Sequence, residues 1–118
     1  MSYINKKGKT TNWRRMVIRQ QVSDMISYGE ITTTVTKAKE TQRHVERLIT
    51  LAKTKDVNTT RKLASILLDS KLDKQQALID KAFKLGKKYA TRKGGYTRVL
   101  KLGTRSGDRT EVAILALV

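Results

Sequence analysis

The sequence predicts an α+β fold: one two-layer α/β domain with three to four helices packed on a small sheet of about three strands. Three observations carry this expectation. Apolar residues recur at helical spacing through several long segments. A short β-branched run, Glu30 to Val35, separates the first two of these segments. Towards the end of the chain the period changes to that of strands, closing on the apolar run Val112 to Val118. A length of 118 residues suits a single core and leaves little to bury a second.

Residues 2 to 11 are polar and basic, and residues 1–11 are expected to form an N-terminal arm ahead of a single domain over 12–118. Thr11 or Asn12 can cap a first helix running to about Tyr28, with Gly29 at its end. Ile18, Val22, Met25 and Ile26 fall on one face of it, Arg14 and Arg19 flank that face, and Trp13 lies nearly opposite. The strand over Glu30 to Val35 follows, then a second helix over roughly 36–54 with Ala38, Val45, Leu48, Ile49 and Ala52 as its apolar stripe. Lys39, Arg43 and Arg47 recur every fourth residue on its reverse face. Asn58 to Asp69 reads as a third helix, with Leu63, Ile66 and Leu67 inward. Asp73 and Gln76 resemble a capping box for a fourth over about 74–85, with Leu78, Ala82 and Leu85 inward and Gly86 at its end. Tyr96 to Leu102 and Glu111 to Val118 read as two strands joined through Gly103 to Thr110. The last strand is apolar on both faces, which predicts a central place, with helices on one side and something else shielding the other.

Charge is the strongest functional signal. Lys and Arg number 26 against 10 Asp and Glu, a formal net charge of +16. Such a surplus repels itself in the folded chain and calls for a polyanionic partner, nucleic acid first and an anionic membrane surface second. The cations fall in four stretches. They are the arm and first helix start with Lys6, Lys7, Lys9, Arg14 and Arg15; the second helix with Lys39, Arg43 and Arg47; the turn with Arg92, Lys93 and Arg98; and the hairpin tip with Arg105 and Arg109. In the turn, Gly94 and Gly95 allow the backbone to approach a phosphate closely. Two phosphates met by each stretch would release roughly eight counterions, so affinity is expected to fall steeply with salt. The aromatic residues are sparse and follow no stacking motif, so folded RNA read through shape and phosphates fits better than single strands. Trp13 can stack on a base, pack against a partner or cover its own arm.

Other functions find little support. The chain has no cysteine, which removes disulfides, thiolate catalysis and Cys-ligated metals. His44 is its one histidine, and no carboxylates cluster at ligand spacing, so no catalytic residue, metal site or cofactor is expected. Asp69, Asp73 and Asp80 read as caps and charge balance. No Gly-x-Ser-x-Gly elbow surrounds a serine, and Gly94-Gly95 lacks a Walker pattern. The first residues hold no apolar stretch of a signal peptide, and no run approaches the roughly 20 apolar residues of a membrane span. A DNA-compacting protein, a small ribonuclease using His44 with a lysine, and a membrane-surface peptide are the competing readings; no recognition helix stands out for the first. No membrane partner and no small-molecule substrate are expected.

Three strings carry a family resemblance. They are Gly29-Glu30-Ile31-Thr32-Thr33-Thr34 with Lys37-Ala38-Lys39-Glu40, then Leu48-Ile49-Thr50-Leu51-Ala52-Lys53, then Gly94-Gly95-Tyr96-Thr97-Arg98-Val99-Leu100-Lys101 running on to Arg105-Ser106-Gly107-Asp108. In this order they resemble bacterial large-subunit ribosomal protein seventeen, over most of the chain and least across residues 54–90. The resemblance implies helices on a mixed sheet, a structural and non-enzymatic role in the large ribosomal subunit, contact with its ribosomal RNA, a cytoplasmic place within the ribosome, and large-subunit protein thirty-two as a neighbour. It adds Lys37 to the RNA-facing residues, through the Lys37 to Glu40 segment. The chain departs from the family at its opening, where Ser2-Tyr3-Ile4-Asn5 stands for Arg-His-Arg, and at Thr36, where proline is common.

Overall fold

Capping and periodicity set the helices, and the computed structural model describes them over residues 10–67 and 72–118, the side chains of 72–75 excepted. Residues 1–9 of the expected arm and Asp69 lie outside the described residues, as does the side chain of Asp73, so its capping box does too.

Helix α1 spans Thr11–Tyr28. Its N-cap is Thr10, not Thr11 or Asn12: the Thr10 hydroxyl accepts from the Trp13 N–H at 3.2 Å, satisfying one of the free amides of the first turn. Gly29 closes it in the left-handed region (φ 84), its N–H bonded to Met25 O at 2.8 Å. Strand β1 is Glu30–Thr34. It passes into α2, Val35–Ala52, without a loop, because Thr34 is both the last strand residue and the helix cap, accepting from the Lys37 N–H at 3.4 Å. Thr36 is the second residue of the helix, in its first turn. Helix α3, Val57–Ile66, is capped by Asp56, which accepts from the Thr59 N–H at 2.7 Å. It ends before the expected Asp69, with Leu67 already extended.

Helix α4 spans Leu72–Lys88 and outruns its expected end. Gly86 lies within it, not at a C-terminal cap. A Cβ at Gly86 would stand 2.4 Å from the Ala52 carbonyl oxygen and 2.9 Å from the Lys53 nitrogen. The glycine is there so that α4 can touch the backbone at the end of α2.

Strands β2 (Thr97–Thr104) and β3 (Glu111–Leu117) complete a three-stranded sheet of order β1-β3-β2. The doubly apolar last strand is central, as its pattern predicted. Both pairings are antiparallel, which corrects the mixed sheet implied by the resemblance: β1 and β2 run in the same direction, and the hairpin after β2 turns β3 back between them, against both. A register shift between Lys101 and Gly103 bulges β2 at Leu102.

One face of the sheet packs on the helices. Ala113 and Leu115 of β3 join Ile18, Val22, Met25 and Ile26 of α1, the whole α2 stripe, Leu63, Leu67, Ile79, Ala82 and Tyr96 in a single core. Ile66 and Leu85, expected inside, are only partly buried. Ile79, one residue from the expected stripe, is buried with it. Polar links tie the layers: Thr41 Oγ1 donates to Gln21 Oε1 at 2.5 Å, and Gln21 Nε2 donates to Thr33 Oγ1 at 3.0 Å. The other sheet face is not covered by any described element. Leu100 and Leu102 are exposed there, and Val112, Ile114 and Ala116 half-buried.

Candidate nucleic-acid interface

Helix α2 is the platform. With its apolar stripe turned into the core, 3.6-residue periodicity leaves Lys39, Arg43 and Arg47 exposed on one ridge. The two glutamates of the helix lie off that ridge. Glu40 is buried. Glu46 Oε1 accepts from the Thr97 N–H at 3.2 Å and from Thr97 Oγ1 at 3.1 Å. The acids are thus engaged inside the fold, and the ridge presents cations.

Along one flank, α2 holds the turn that precedes β2. Gln42 Nε2 donates to Thr97 O at 3.3 Å, and Lys53 Nζ donates to Arg92 O. Beneath the turn, the buried Tyr96 donates its hydroxyl to Arg92 O at 3.0 Å and packs its ring 5.2 Å from that of Tyr89. The Arg92 guanidinium lies 5.1 Å over the Tyr89 ring, and its Nη1 donates to Gly95 O at 3.4 Å. Arg92, Lys93, Gly94, Gly95 and Arg98 are all exposed on this fixed base. Gly95 has φ 67, which favours glycine, whereas a Cβ at Gly94 would meet nothing within 4 Å. Among the described residues, nothing requires a bare backbone at Gly94.

Along the other flank lies the start of α1. Arg15, Arg19 and His44 line a small cleft of about 190 Å³ that reaches Ser65 and Ile66 of α3. Lys37 Nζ sits 5.6 Å over the Trp13 ring, joining the first turns of α1 and α2. Trp13 stays 42% exposed. Arg14 is partly buried; its Nη2 donates to Thr11 Oγ1 at 3.0 Å, and its Nε is buried with no partner among the described residues. Arg19 Nε donates to Ile66 O at 3.2 Å, a packing role. Burial lowers the pKa of the His44 imidazole; Glu40 opposes the shift, and Arg47 and Arg43 add to it. The shift favours the neutral imidazole in this cleft.

The structure so gathers Arg15, Lys37, Lys39, Arg43, Arg47, Arg92, Lys93, Gly94, Gly95 and Arg98 on and beside α2. The hairpin tip is apart: Arg105 follows Arg98 by seven strand residues, about 23 Å of extended chain. At the tip, Arg105 grips Asp108 through two hydrogen bonds, 2.9 and 2.7 Å, and Asp108 also accepts from the Thr110 N–H at 3.1 Å. These bonds, Arg105 first, hold the Asp108 carboxyl far below the usual carboxylate range. Arg105 is thus partly neutralised, while Arg109, at φ 55, is exposed on the same tip. Lys6, Lys7 and Lys9 lie outside the described residues.

Sequence reasoning missed the lysines where α2 and α4 meet: Lys53, Lys55, Lys84 and Lys87 line one groove. They come from three segments and form no run, so nothing in their spacing announces them. Among the described residues, no three or more His, Cys, Asp or Glu converge to hold a metal ion. No described helix is long and apolar enough to cross a membrane.

Comparison with known proteins bears on what this basic surface meets. The profile of the family described as Ribosomal protein L17 matches residues 17–118. A protein of Malacoplasma penetrans named large ribosomal subunit protein bL17 is 61% identical over the full length of both chains. Its namesake in Ureaplasma parvum serovar 3 is 60% identical, again over both full lengths. That of Mycoplasma pneumoniae is 52% identical over 99% of this chain and 95% of its own. Matched across nearly all of its domain and aligned end to end with relatives of one name, the chain belongs to the ribosomal protein L17 family.

Proposed function

We propose that this chain is a structural, non-catalytic component of the bacterial large ribosomal subunit, cytoplasmic within the ribosome, where it binds and stabilises ribosomal RNA. The observation that carries the residue-level reading is the α2 ridge: Lys39, Arg43 and Arg47 exposed in a row while Glu40 and Glu46 are engaged inside the fold. In the free protein this ridge is a cost. Each like-charged pair four residues apart on a helix destabilises it by roughly 0.2–0.5 kcal/mol. The cost is offset when phosphates neutralise the ridge and counterions are released.

The RNA-facing set is the ridge with Lys37, the first-turn Arg14 and Arg15, and the Arg92–Arg98 turn with Gly94 and Gly95. The arm cations Lys6, Lys7 and Lys9 and the tip cations Arg105 and Arg109 reach further segments. Phosphate contacts of this kind fix position without reading sequence, which suits a protein that holds neighbouring RNA segments together. Other ribosomal proteins adjoin it, and the family resemblance names large-subunit protein thirty-two among them.

The test is incorporation. Cells carrying Arg43→Glu with Arg47→Glu are expected to yield large subunits depleted of this chain when subunits are purified at moderate salt. Wild-type occupancy in those particles would overturn the assignment of the ridge.

A further inference from the structure

The groove between the end of α2 and the body of α4 has a volume of about 580 Å³. Ala52 and Gly86 form its floor, where the two helix backbones touch; Lys53, Lys55, Lys84 and Lys87 stand along its walls, with Phe83 and one carboxylate, Asp80. Among the described residues none of these lysines makes an ion pair. Two are held in place by other means. Lys53 Nζ lies 4.9 Å over the Tyr96 ring and donates to Arg92 O; Lys55 Nζ lies 5.7 Å over the Phe83 ring. An ammonium resting on an aromatic face keeps N–H donors for another acceptor.

A bland account is that lysines at helix ends offset the helix dipoles. It falls short in magnitude. Each C-terminus carries about half a negative charge. Two such ends and Asp80 leave about two of the four positive charges unopposed. Converging unopposed cations over a floor that no side chain fills make a seat for anions, not merely a solvated face.

We infer that this groove is a second RNA-backbone site, seating about two consecutive phosphates beyond the C-terminal end of the α2 ridge. The inference rests on the RNA-binding reading above and deepens it: the ridge and the groove hold one backbone at two points, or two segments of one folded RNA. Gly86 is part of the device, since a side chain there would force the helices apart and lift the groove floor.

The experiment is a salt titration of full-length chain binding to purified large-subunit ribosomal RNA, in wild type and two variants. The groove variant is Lys84→Gln with Lys87→Gln, conservative for helix and exposed in the fold. The ridge variant is Arg43→Gln with Arg47→Gln. Neutralising two phosphates fewer, the groove variant should lower the log–log salt slope by about 1.5–2, which makes the fall in affinity from about 50 to 200 mM salt roughly 10-fold shallower. Lys84→Arg with Lys87→Arg should keep the wild-type slope. A groove variant with the wild-type slope, alongside a ridge variant with a reduced one, overturns the groove and leaves the RNA-binding reading intact. If the wild-type chain shows no salt-dependent binding to this RNA, both readings fall.

Discussion

Replacing Gly86 by alanine should destabilise the protein, although the same change in an exposed helix interior would stabilise it. The added Cβ would lie 2.4 Å from Ala52 O and 2.6 Å from Ala52 C, against ordinary contact beginning at 3.4 Å. The helices must part by about 1 Å, and both sides of the contact are backbone, so no rotamer change relieves it. Overpacking costs about 1–3 kcal/mol, and a backbone-to-backbone clash belongs near the upper end. Alanine regains about 1 kcal/mol of helix propensity, leaving a net loss of about 2 kcal/mol. In a chain of this size that is a fall in Tm of about 8 °C. Thermal unfolding followed by circular dichroism, at fixed salt, measures it. Gly94→Ala is the control, since a Cβ there meets open space. A Gly86→Ala protein as stable as wild type, or more so, would refute the close approach of α4 to α2 and the floor of the groove with it.

Three further outcomes follow from the charges. Because burial lowers the His44 pKa, the folded chain takes up that proton at lower pH than the unfolded chain does. Its contribution to stability is complete above the unfolded value of 6.5 and is lost as pH falls through 6.5 towards the folded value. Tm should therefore drop as pH falls below the unfolded value of 6.5, and His44→Gln should flatten the drop; an unchanged profile in the variant would rule out His44 as its source. The net charge of +16 should make the isolated protein more stable as salt is raised, since screening shortens the range of self-repulsion to about 8 Å at 0.15 M; a Tm that falls with sodium chloride would contradict this. Asp108→Ala should free Arg105 and unlock the hairpin tip, seen as faster amide exchange over residues 105–110 with the core unchanged, whereas unaltered exchange would show that the turn does not depend on that pair.

What the sequence determined by itself is what depends on neighbours along the chain. The stripes of α1 and α2 were legible because a helix repeats every 3.6 residues, and the core claimed Ile18, Val22, Val45 and Leu48 as that period requires. The strand apolar on both faces announced its central place, and the ridge of Lys39, Arg43 and Arg47 was visible as the reverse of an apolar stripe. Cap positions slipped by a residue or two, because Thr10, Thr11 and Asn12 compete for one role and only the backbone path selects Thr10.

What tertiary structure decided is proximity. Gly86 reads as a helix end in one dimension, since glycine ends helices more often than it joins them; its partner, Ala52, is more than thirty residues away. Glu46 looks like an acid diluting a basic helix until Thr97 is seen to engage it. The lysine groove is assembled from the end of α2, the segment after it and the body of α4, and its charge exists only where those segments meet. Local spacing fixes which face a side chain takes on its own element, but Coulomb and packing energies depend on distances between elements, which periodicity does not contain.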